Sequence, residues 1–242
     1  MSSTIPVRLP RDGNATDLPP GQTAISTFPR FGADMGPATP PVVQSIRVDG
    51  EVDTAFDVRM AELADMPREQ ITADFHCVAG WSFRDLCWEG VRFRTFYEAV
   101  IAARIPPGTR VSHVLLRGAD GFEGALLLED ACADNVLLAD RLGGAPLTAK
   151  HGAPVRLVSP SQYGYKSVKH LTAIELHSRE PRERHARLRA HVLLSVVRGH
   201  PRARVALEER HRYLPGRVVR WPYRNLAYPL IGLLRRLPQR DR

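Results

Sequence analysis

The most informative stretch of the chain is DFHCVAGWSFRDLCWEGVRF, residues 74–93. Its first part completes residues 71–81, whose mixed apolar character predicts a strand that runs into a glycine-containing loop. Cys77 lies at that junction, directly after His76. A thiol in this position is well placed for metal ligation or for nucleophilic attack, since both use the thiolate. The alternative is a buried structural cysteine, because free cysteine is among the most buried residue types.

The neighbouring residues narrow the chemistry of Cys77. No second cysteine or histidine lies at the short ligand spacings of zinc sites, so a zinc site is disfavoured. The spacing of cysteine and histidine residues does not exclude a cysteine–histidine hydrolase, although no local signature supports one. Trp81 and Trp88 are expected to pack beneath the loop, with a wall of a substrate funnel as the alternative. Cys87 and Cys132 are interpreted as packing residues.

Outward from this stretch, short strands and helices follow one another in mixed order. Asp49 and Gly50 predict a β-hairpin within residues 45–53, and Pro67 ends a predicted helix over 59–66. The further predicted elements are a helix over 91–105 and strands over 110–119, 153–160 and 170–177. Because strands and helices do not alternate strictly, the pattern predicts an α+β fold rather than a doubly wound sheet.

Length and composition predict a globular protein of one large domain, or of one domain with an appendage. The chain has 242 residues, is 43% hydrophobic and carries a formal net charge of +8. Its three cysteines form no CxxC pair, which disfavours a disulfide scaffold and suits a reducing compartment. The first residues contain neither a signal-peptide apolar region nor a twin-arginine pair, and no stretch approaches the ~20 apolar residues of a membrane-spanning helix. These observations predict a cytoplasmic protein.

The positive charge is concentrated at the C-terminal end. Residues 177–242 hold 17 arginines, no lysine and 5 acidic residues, a net charge of +12, whereas residues 1–176 have a net charge of −4. We therefore divide the chain into a proline-rich arm (1–41), a core (42–177) and an arginine-rich, mainly helical extension (178–242).

The extension has three interpretations. Helices are predicted over 181–199 and 225–237. A solvated helical appendage that packs on the acidic core is favoured, and peripheral contact with a membrane surface comes second. Nucleic-acid binding is disfavoured, because few aromatic residues accompany the arginines.

Several motifs, in order along the chain, resemble those of the sulfite-oxidase-like, molybdopterin-dependent oxidoreductases. The cysteine loop, DFHCVAGWS followed by CWEGVRF, is the most characteristic, and the resemblance covers residues 18–176. The other matching motifs are LPPGQ (18–22), TFPRFG (27–32), RGADGFEGALLLEDA (117–131), NVLLADRLGGAPLTAKHGAPVRLVSP (135–160) and YGYKSVKHLTAIEL (163–176). The resemblance implies a core of mixed strands and short helices of the sulfite-oxidase catalytic type.

The resemblance also implies a cofactor and the residues that bind it. In this family the loop cysteine supplies a thiolate to molybdenum, and that role falls on Cys77. The family uses a bare molybdopterin, whose terminal phosphate needs fixed cations and amide donors. The implied anchors are His151, Arg156, Lys166, Ser167 and Lys169. Without the resemblance, the lysines fit equally well as exposed cations and His151 as a turn residue, whereas Arg156 in an apolar strand needs a specific partner.

The chain departs from the family pattern in three ways. Sulfite oxidases place an arginine shortly after the ligand cysteine, but that stretch here is VAGWS (78–82), and the nearest arginine is Arg84. The residues after 176 are too few and too helical for the immunoglobulin-like domain of those enzymes. The branch that reduces protein methionine sulfoxide carries a twin-arginine signal, which these first residues lack. The resemblance therefore implies a cytoplasmic bacterial branch with no assigned substrate.

Two functions follow for the whole protein. The first is a monomeric molybdenum–molybdopterin oxidoreductase that moves one oxygen atom to or from a small substrate in a two-electron cycle, with an unidentified redox partner. The second is a cofactor-less binding module of the same fold, whose basic extension binds an anionic partner or a membrane surface. The presence of Cys77, Arg156 and Lys166 favours the first.

Overall fold

The computed structural model describes residues 18–26, 42–183, 199–222 and 225, and these form the α+β fold that the pattern of elements predicts. The strands are β1 (Thr23–Ala24), β2 (Ser45–Gly50), β3 (Phe56–Arg59), β4 (Arg68–His76), β5 (Trp81–Arg92), β6 (His113–Gly118), β7 (Glu123–Leu127), β8 (Leu137–Leu142), β9 (Ala145–Pro146), β10 (Arg156–Val158) and β11 (Leu171–His177). The α-helices are all short, namely α1 (Met60–Ala64), α2 (Phe93–Phe96), α3 (Leu128–Ala131) and α4 (Gly216–Pro222). A π turn (Tyr97–Ile101) and a 3-10 turn (Ala102–Arg104) extend α2, and two more 3-10 turns are Ala149–His151 and Gly164–Lys166.

The first sheet is organised around β5 and carries the cysteine loop. Burial alternates along the middle of β5, where Leu86 and Trp88 face the core and Asp85 and Cys87 do not, as a half-buried strand requires. β4 pairs antiparallel with β5, and β8 pairs antiparallel with the C-terminal end of β5. β10 and β9 pair with β8, while β1 of the arm pairs in parallel with the start of β5. The loop between β4 and β5 therefore lies at an end of this sheet, beside the arm.

The second sheet has the strand order β3–β2–β11–β6–β7. Its central strand β11 pairs in parallel with β2 and antiparallel with β6. Ile46 of β2 and Ile174 of β11 belong to one buried core with Phe93 at the start of α2. Trp81 and Trp88 belong to a separate core beneath the cysteine loop, which agrees with their interpretation as packing residues.

The predicted turn at Asp49 and Gly50 is wrong. β2 continues through Gly50, and its antiparallel partner β3 begins only at Phe56. Gly50 has a φ of +89°, and a Cβ there would lie 2.2 Å from the carbonyl oxygen of Leu176. This glycine permits the close approach of β2 to β11, and the hairpin turns over residues 51–55 instead.

The two helices predicted within the core are present with shorter bounds. α1 lies within the predicted 59–66 and ends before Pro67. The helix predicted over 91–105 begins at Phe93, because Val91 still pairs with Leu138 in the first sheet.

The described part of the extension is mostly non-helical. Residues 199–215 lie in turns and isolated β-bridges, and α4 is the one helix within residues 199–222. Most of the helix predicted over 181–199 and of that over 225–237 lies outside the described residues, as does the arm apart from residues 18–26. The boundaries after residues 41 and 177 stay predictions. In the described part of the chain, no helix has the length and apolar character needed to cross a membrane.

Candidate functional site

The backbone of the cysteine loop, residues 77–80, is closed by two hydrogen bonds. The Cys77 N–H donates to the Trp81 carbonyl at 2.8 Å, and the Gly80 N–H donates to the Cys77 carbonyl at 3.0 Å. Gly80 has a φ of +99°, a left-handed conformation that glycine adopts without strain. The Cys77 residue is only 7% exposed. The thiol is therefore carried by a short loop that two backbone hydrogen bonds close.

The arm contacts this loop through a chain of side-chain hydrogen bonds. Gln22 donates from Nε2 to the Cys77 carbonyl at 3.2 Å and accepts at Oε1 from the Ser82 hydroxyl at 3.0 Å. His76 Nδ1 lies 2.7 Å from the same hydroxyl, whose one proton is already directed to Gln22, so His76 donates from Nδ1. Burial lowers the pKa of His76, and Asp74 only partly opposes this shift. A neutral histidine thus completes the network.

Phe75 connects the cysteine loop to motifs far along the chain. Its ring stacks on Trp81 with 6.1 Å between centroids, and the Arg156 guanidinium carbon lies 5.5 Å from the Phe75 centroid. A Cβ at Gly164 would lie 2.3 Å from Phe75 Cζ, so the 3-10 turn at Gly164–Lys166 packs directly on the ring. Phe75 therefore lies where the loop, β10 and this turn meet.

Arg156 is a buried cation with no acidic partner among the described residues. It is 1% exposed, and its guanidinium donates to the carbonyls of His151 (3.0 Å), Ser167 (2.9 Å) and Leu157 (3.2 Å). A guanidinium carries five N–H donors, so two more have no hydrogen-bond acceptor within the described part of the protein. Burial lowers the pKa of Arg156 to about 9, which still leaves the group charged at neutral pH. A buried charge with only neutral partners is costly, and an anionic ligand would relieve that cost.

The residues around Arg156 add further positive charge. Lys169 donates from Nζ to the Lys150 carbonyl at 3.0 Å, and a Cβ at Gly152 would lie 3.0 Å from Lys169 Cβ. Burial, followed by the charges of Arg156, Lys169 and Lys150, lowers the pKa of His151 to about 3. All the charges that shift His151 are positive, so this region suits a phosphate group. The donor set therefore fits the terminal phosphate of a pterin cofactor.

Ser167 and Lys166 occupy different environments. Ser167 supports Arg156 through its carbonyl and accepts at Oγ from the Ser159 N–H at 3.1 Å. Lys166 is buried and donates from Nζ to the Ala125 carbonyl of β7 at 2.5 Å, with Glu183 Oε1 at 3.7 Å. The structure thus joins Arg156 directly to His151 and Ser167, whereas the ammonium group of Lys166 contacts β7 and Glu183.

The sequence-based predictions do not include two residues that contact the cysteine loop, Gln22 and Arg210. Arg84, the nearest arginine in sequence, lies 4.0 Å from Asp74 in an ion pair. The arginine that contacts the loop is Arg210, which donates to the Val78 carbonyl across 132 residues of chain. No local pattern marks such a contact, whereas Gln22 lies within the arm motif LPPGQ. Within the described residues, no group of three or more His, Cys, Asp or Glu side chains is arranged to hold a metal ion.

The lowered pKa of His151 predicts a loss of stability in acid. The histidine has a pKa near 6.5 when unfolded and about 3 when folded, so between these values the unfolded chain binds the additional proton. Its contribution to stability is complete above pH 6.5 and is lost as the pH falls toward 3. Between pH 7 and pH 5 we expect the free energy of unfolding to fall in the wild type. In His151→Gln this fall should be smaller by about 1–2 kcal/mol. Urea titrations at both pH values measure this, and equal drops would contradict the prediction.

Comparison with known proteins gives one family and several relatives. The family model for the oxidoreductase molybdopterin binding domain matches residues 38–185. An uncharacterized oxidoreductase, YuiH of Bacillus subtilis, is 33% identical over 159 residues, which are 65% of this chain and 78% of that protein. The catalytic subunit MsrP of a protein-methionine-sulfoxide reductase from Xanthomonas campestris is 32% identical over 152 residues, or 57% of this chain and 46% of the subunit. The chain thus spans less than half of that reductase subunit.

A solved structure with a similar chain is the sulfane dehydrogenase SoxCD from Paracoccus pantotrophus. The alignment has a TM-score of 0.49 and 21% sequence identity, and it covers 56% of this chain and 38% of that one.

Proposed function

Because the chain belongs to the family of oxidoreductases with a molybdopterin-binding domain, we propose that it transfers one oxygen atom to or from a small substrate, with Cys77 as the metal ligand. The cofactor of this family is molybdenum–molybdopterin. One observation carries the proposal, namely that Phe75 packs against both Trp81, which directly follows the cysteine loop, and the buried guanidinium of Arg156, whose partners among the described residues are all neutral. Trp81, which follows the loop that carries the thiol, and a buried cation suited to a phosphate therefore both contact one aromatic ring.

Each residue of the site has a distinct proposed task. When bound, the molybdenum–molybdopterin cofactor supplies two-electron redox chemistry and the exchange of one oxygen atom. Cys77 presents a thiolate from its fixed loop, and Trp81 beneath it excludes water. Arg156, His151 and Lys169 bind the phosphate, and Ser167 orients Arg156. Lys166 is a further proposed anchor, which would have to exchange its contacts with Ala125 and Glu183 for the phosphate.

A sulfoxide is the first substrate class to test. The MsrP relatives are named protein-methionine-sulfoxide reductases, and the family assignment supports an oxidoreductase. Reduction of a sulfoxide consumes two electrons, so the proposal includes an electron-donating partner. Sulfite has less support, because residues 78–82 contain no arginine.

Metal and pterin analysis tests the proposal. The full-length protein, purified from a host that makes molybdopterin, is expected to contain close to one molybdenum and one pterin per chain, and to reduce a sulfoxide with a dye as electron donor. Protein without metal or pterin would overturn the proposal. That result would favour the cofactor-less binding module, whose affinity for an anionic partner falls steeply with salt.

Peripheral contact with an anionic membrane is a second proposal, which one exposed patch favours. Tyr213 and Trp221 are 73% and 65% exposed, and Leu214 and Val218 lie exposed in the same short segment as Arg217. Aromatic and apolar side chains next to arginine suit the interface of an anionic bilayer. The protein is expected to sediment with vesicles that contain phosphatidylglycerol but not with pure phosphatidylcholine, and Trp221→Ala should weaken binding about threefold or more. Equal sedimentation with both vesicles would contradict this proposal.

A further inference from the structure

Residues 199–222 lie beyond the family-matched residues 38–185, yet one of their side chains reaches the cysteine loop. Arg210 is 1% exposed and donates from Nη1 to the Val78 carbonyl and from Nη2 to the Gly21 carbonyl at 3.1 Å. Its guanidinium carbon lies 5.0 Å from the centroid of the Tyr163 ring. One buried cation therefore connects the loop, the arm and the segment that follows β10.

The chain that delivers Arg210 is fastened to the core. The Tyr163 N–H donates to the Ala203 carbonyl at 2.9 Å, and the Val205 N–H donates to the Ser161 carbonyl at 3.0 Å. Ala203 and Val205 are buried against Tyr163 and Val78 in a small core of their own. Arg202 forms ion pairs with the two acidic residues of α3. The contacts of residues 202–205 with the core thus fix the backbone from which the Arg210 side chain extends.

The arm passes close to Arg210 at a glycine. A Cβ at Gly21 would lie 2.9 Å from both Arg210 Nη2 and Glu208 Oε1, and Gly21 has a φ of +70°. Glu208 is itself paired with Arg220 of α4, with 2.9 Å between Oε1 and Nε. The adjacent Gln22 donates to the Cys77 carbonyl, so the contact at Gly21 places the arm against the loop.

The surroundings of the Arg210 guanidinium are buried. Tyr163, whose ring it lies over, is fully buried, and Cys77 of the neighbouring loop is 7% exposed. Burial raises the pKa of the Tyr163 hydroxyl to about 12, and the charge of Arg210 opposes this shift. Burying a guanidinium is costly, and its hydrogen bonds to the Val78 and Gly21 carbonyls offset that cost only while their geometry is well formed.

We propose that Arg210 is a positioning residue for the cysteine loop. It fixes the Val78 carbonyl, draws Gly21 and Gln22 of the arm over the loop, and so gives the Cys77 thiolate one orientation and shields it from water. The effect on a bound metal rests on the proposed function, whereas the shielding of the thiol does not.

Alkylation of the metal-free, full-length protein tests the shielding. Iodoacetamide modification is followed by mass spectrometry at Cys77, with Cys87 and Cys132 as internal references. Arg210→Gln is expected to speed modification of Cys77 at least tenfold, and Arg210→Lys, which keeps the charge but loses the fork of donors, to show a smaller rise. The control is Arg212→Gln in the same segment, where Arg212 pairs with Glu180, and it should stay within twofold of the wild type. An unchanged rate at Cys77, or equal rises at all three cysteines, would overturn the proposal.

The metal-loaded protein gives a second, separate readout. We expect Arg210→Gln to retain molybdenum but to change the electron paramagnetic resonance spectrum of its one-electron-reduced state and to lower kcat about tenfold, with partial recovery in Arg210→Lys. An unchanged spectrum and kcat would overturn the positioning role. A wild type that binds no molybdenum would instead overturn the proposed function, and the alkylation rates would still decide the role of Arg210.

Discussion

Replacing Cys77 with alanine is expected to strip molybdenum from the purified protein while most of the pterin stays bound. The thiolate is the proposed ligand of the metal, whereas the phosphate is assigned to the cluster around Arg156, which this substitution leaves intact. Turnover should fall by more than about 100-fold, because second-shell substitutions alone cost 10- to 100-fold. Plasma mass spectrometry measures the metal, and the fluorescence of the oxidised pterin measures the cofactor.

Cys87→Ala is the matched control for this prediction. Cys87 is a half-buried thiol on β5 that accepts a hydrogen bond from Gln70 Nε2 at 2.7 Å. Its replacement should leave the metal, the pterin and turnover within twofold of the wild type. A Cys77→Ala protein with full metal content, an unchanged visible spectrum and undiminished turnover would show that Cys77 is not the ligand.

Replacing Arg156 with glutamine is expected to release the pterin itself. The substitution removes the buried charge and, because a glutamine amide has two N–H donors, leaves at least one of the His151, Leu157 and Ser167 carbonyls without a donor. The two remaining guanidinium N–H groups are the ones proposed to bind the phosphate. Hydrogen bonds between charged groups contribute about 1.5–3 kcal/mol each, so losing one or two of these weakens cofactor binding at least tenfold. The pterin content of the variant should fall below a tenth of the wild-type content, and molybdenum should fall with it.

Two further variants, a conservative replacement and a control, test whether the loss of pterin is specific to Arg156. Arg156→Lys keeps the charge, but its three N–H donors are too few to serve three carbonyls and a phosphate together, so it should retain an intermediate amount of pterin. Arg47→Gln is the control, because Arg47 forms an exposed ion pair with Asp57, and its loss should change stability by less than about 1 kcal/mol. Full pterin content in Arg156→Gln would exclude Arg156 as an anchor.

Local sequence patterns account for much of the fold around the cysteine. The α+β class, the helix that ends before Pro67 and the strands that contain Arg156 and Ile174 all follow from short-range periodicity and turn residues. The burial of Arg156 is also predictable, because a charge in an apolar strand requires a specific partner. The continuation of β2 through Gly50 is not predictable in this way, since the contact of that glycine with Leu176 depends on the parallel pairing of distant strands.

Some side-chain contacts of the site cannot be predicted from the sequence, because they join residues that are far apart in the chain. Lys166 and Lys169 lie three residues apart in one motif, yet Lys166 is buried against Glu183 while Lys169 is bonded to Lys150. Which partner each lysine takes depends on the packing of β7 and of the turn at Gly164–Lys166, and a motif does not contain that information. Arg210 is one of 17 arginines in the last 66 residues, and only the fold distinguishes it from the others.

The hydrogen bond from Arg210 to Gly21 spans 189 residues, which has a consequence for biosynthesis. Translation proceeds from the N-terminus, so β4, the cysteine loop and β5 leave the ribosome well before Arg210 is made. Contacts of such long sequence separation also form late during folding. On the proposed role of Arg210, the thiol is therefore uncovered in the nascent chain and becomes enclosed only after Arg210 has been made. We therefore expect a chain truncated before Arg210 to leave Cys77 accessible to alkylation.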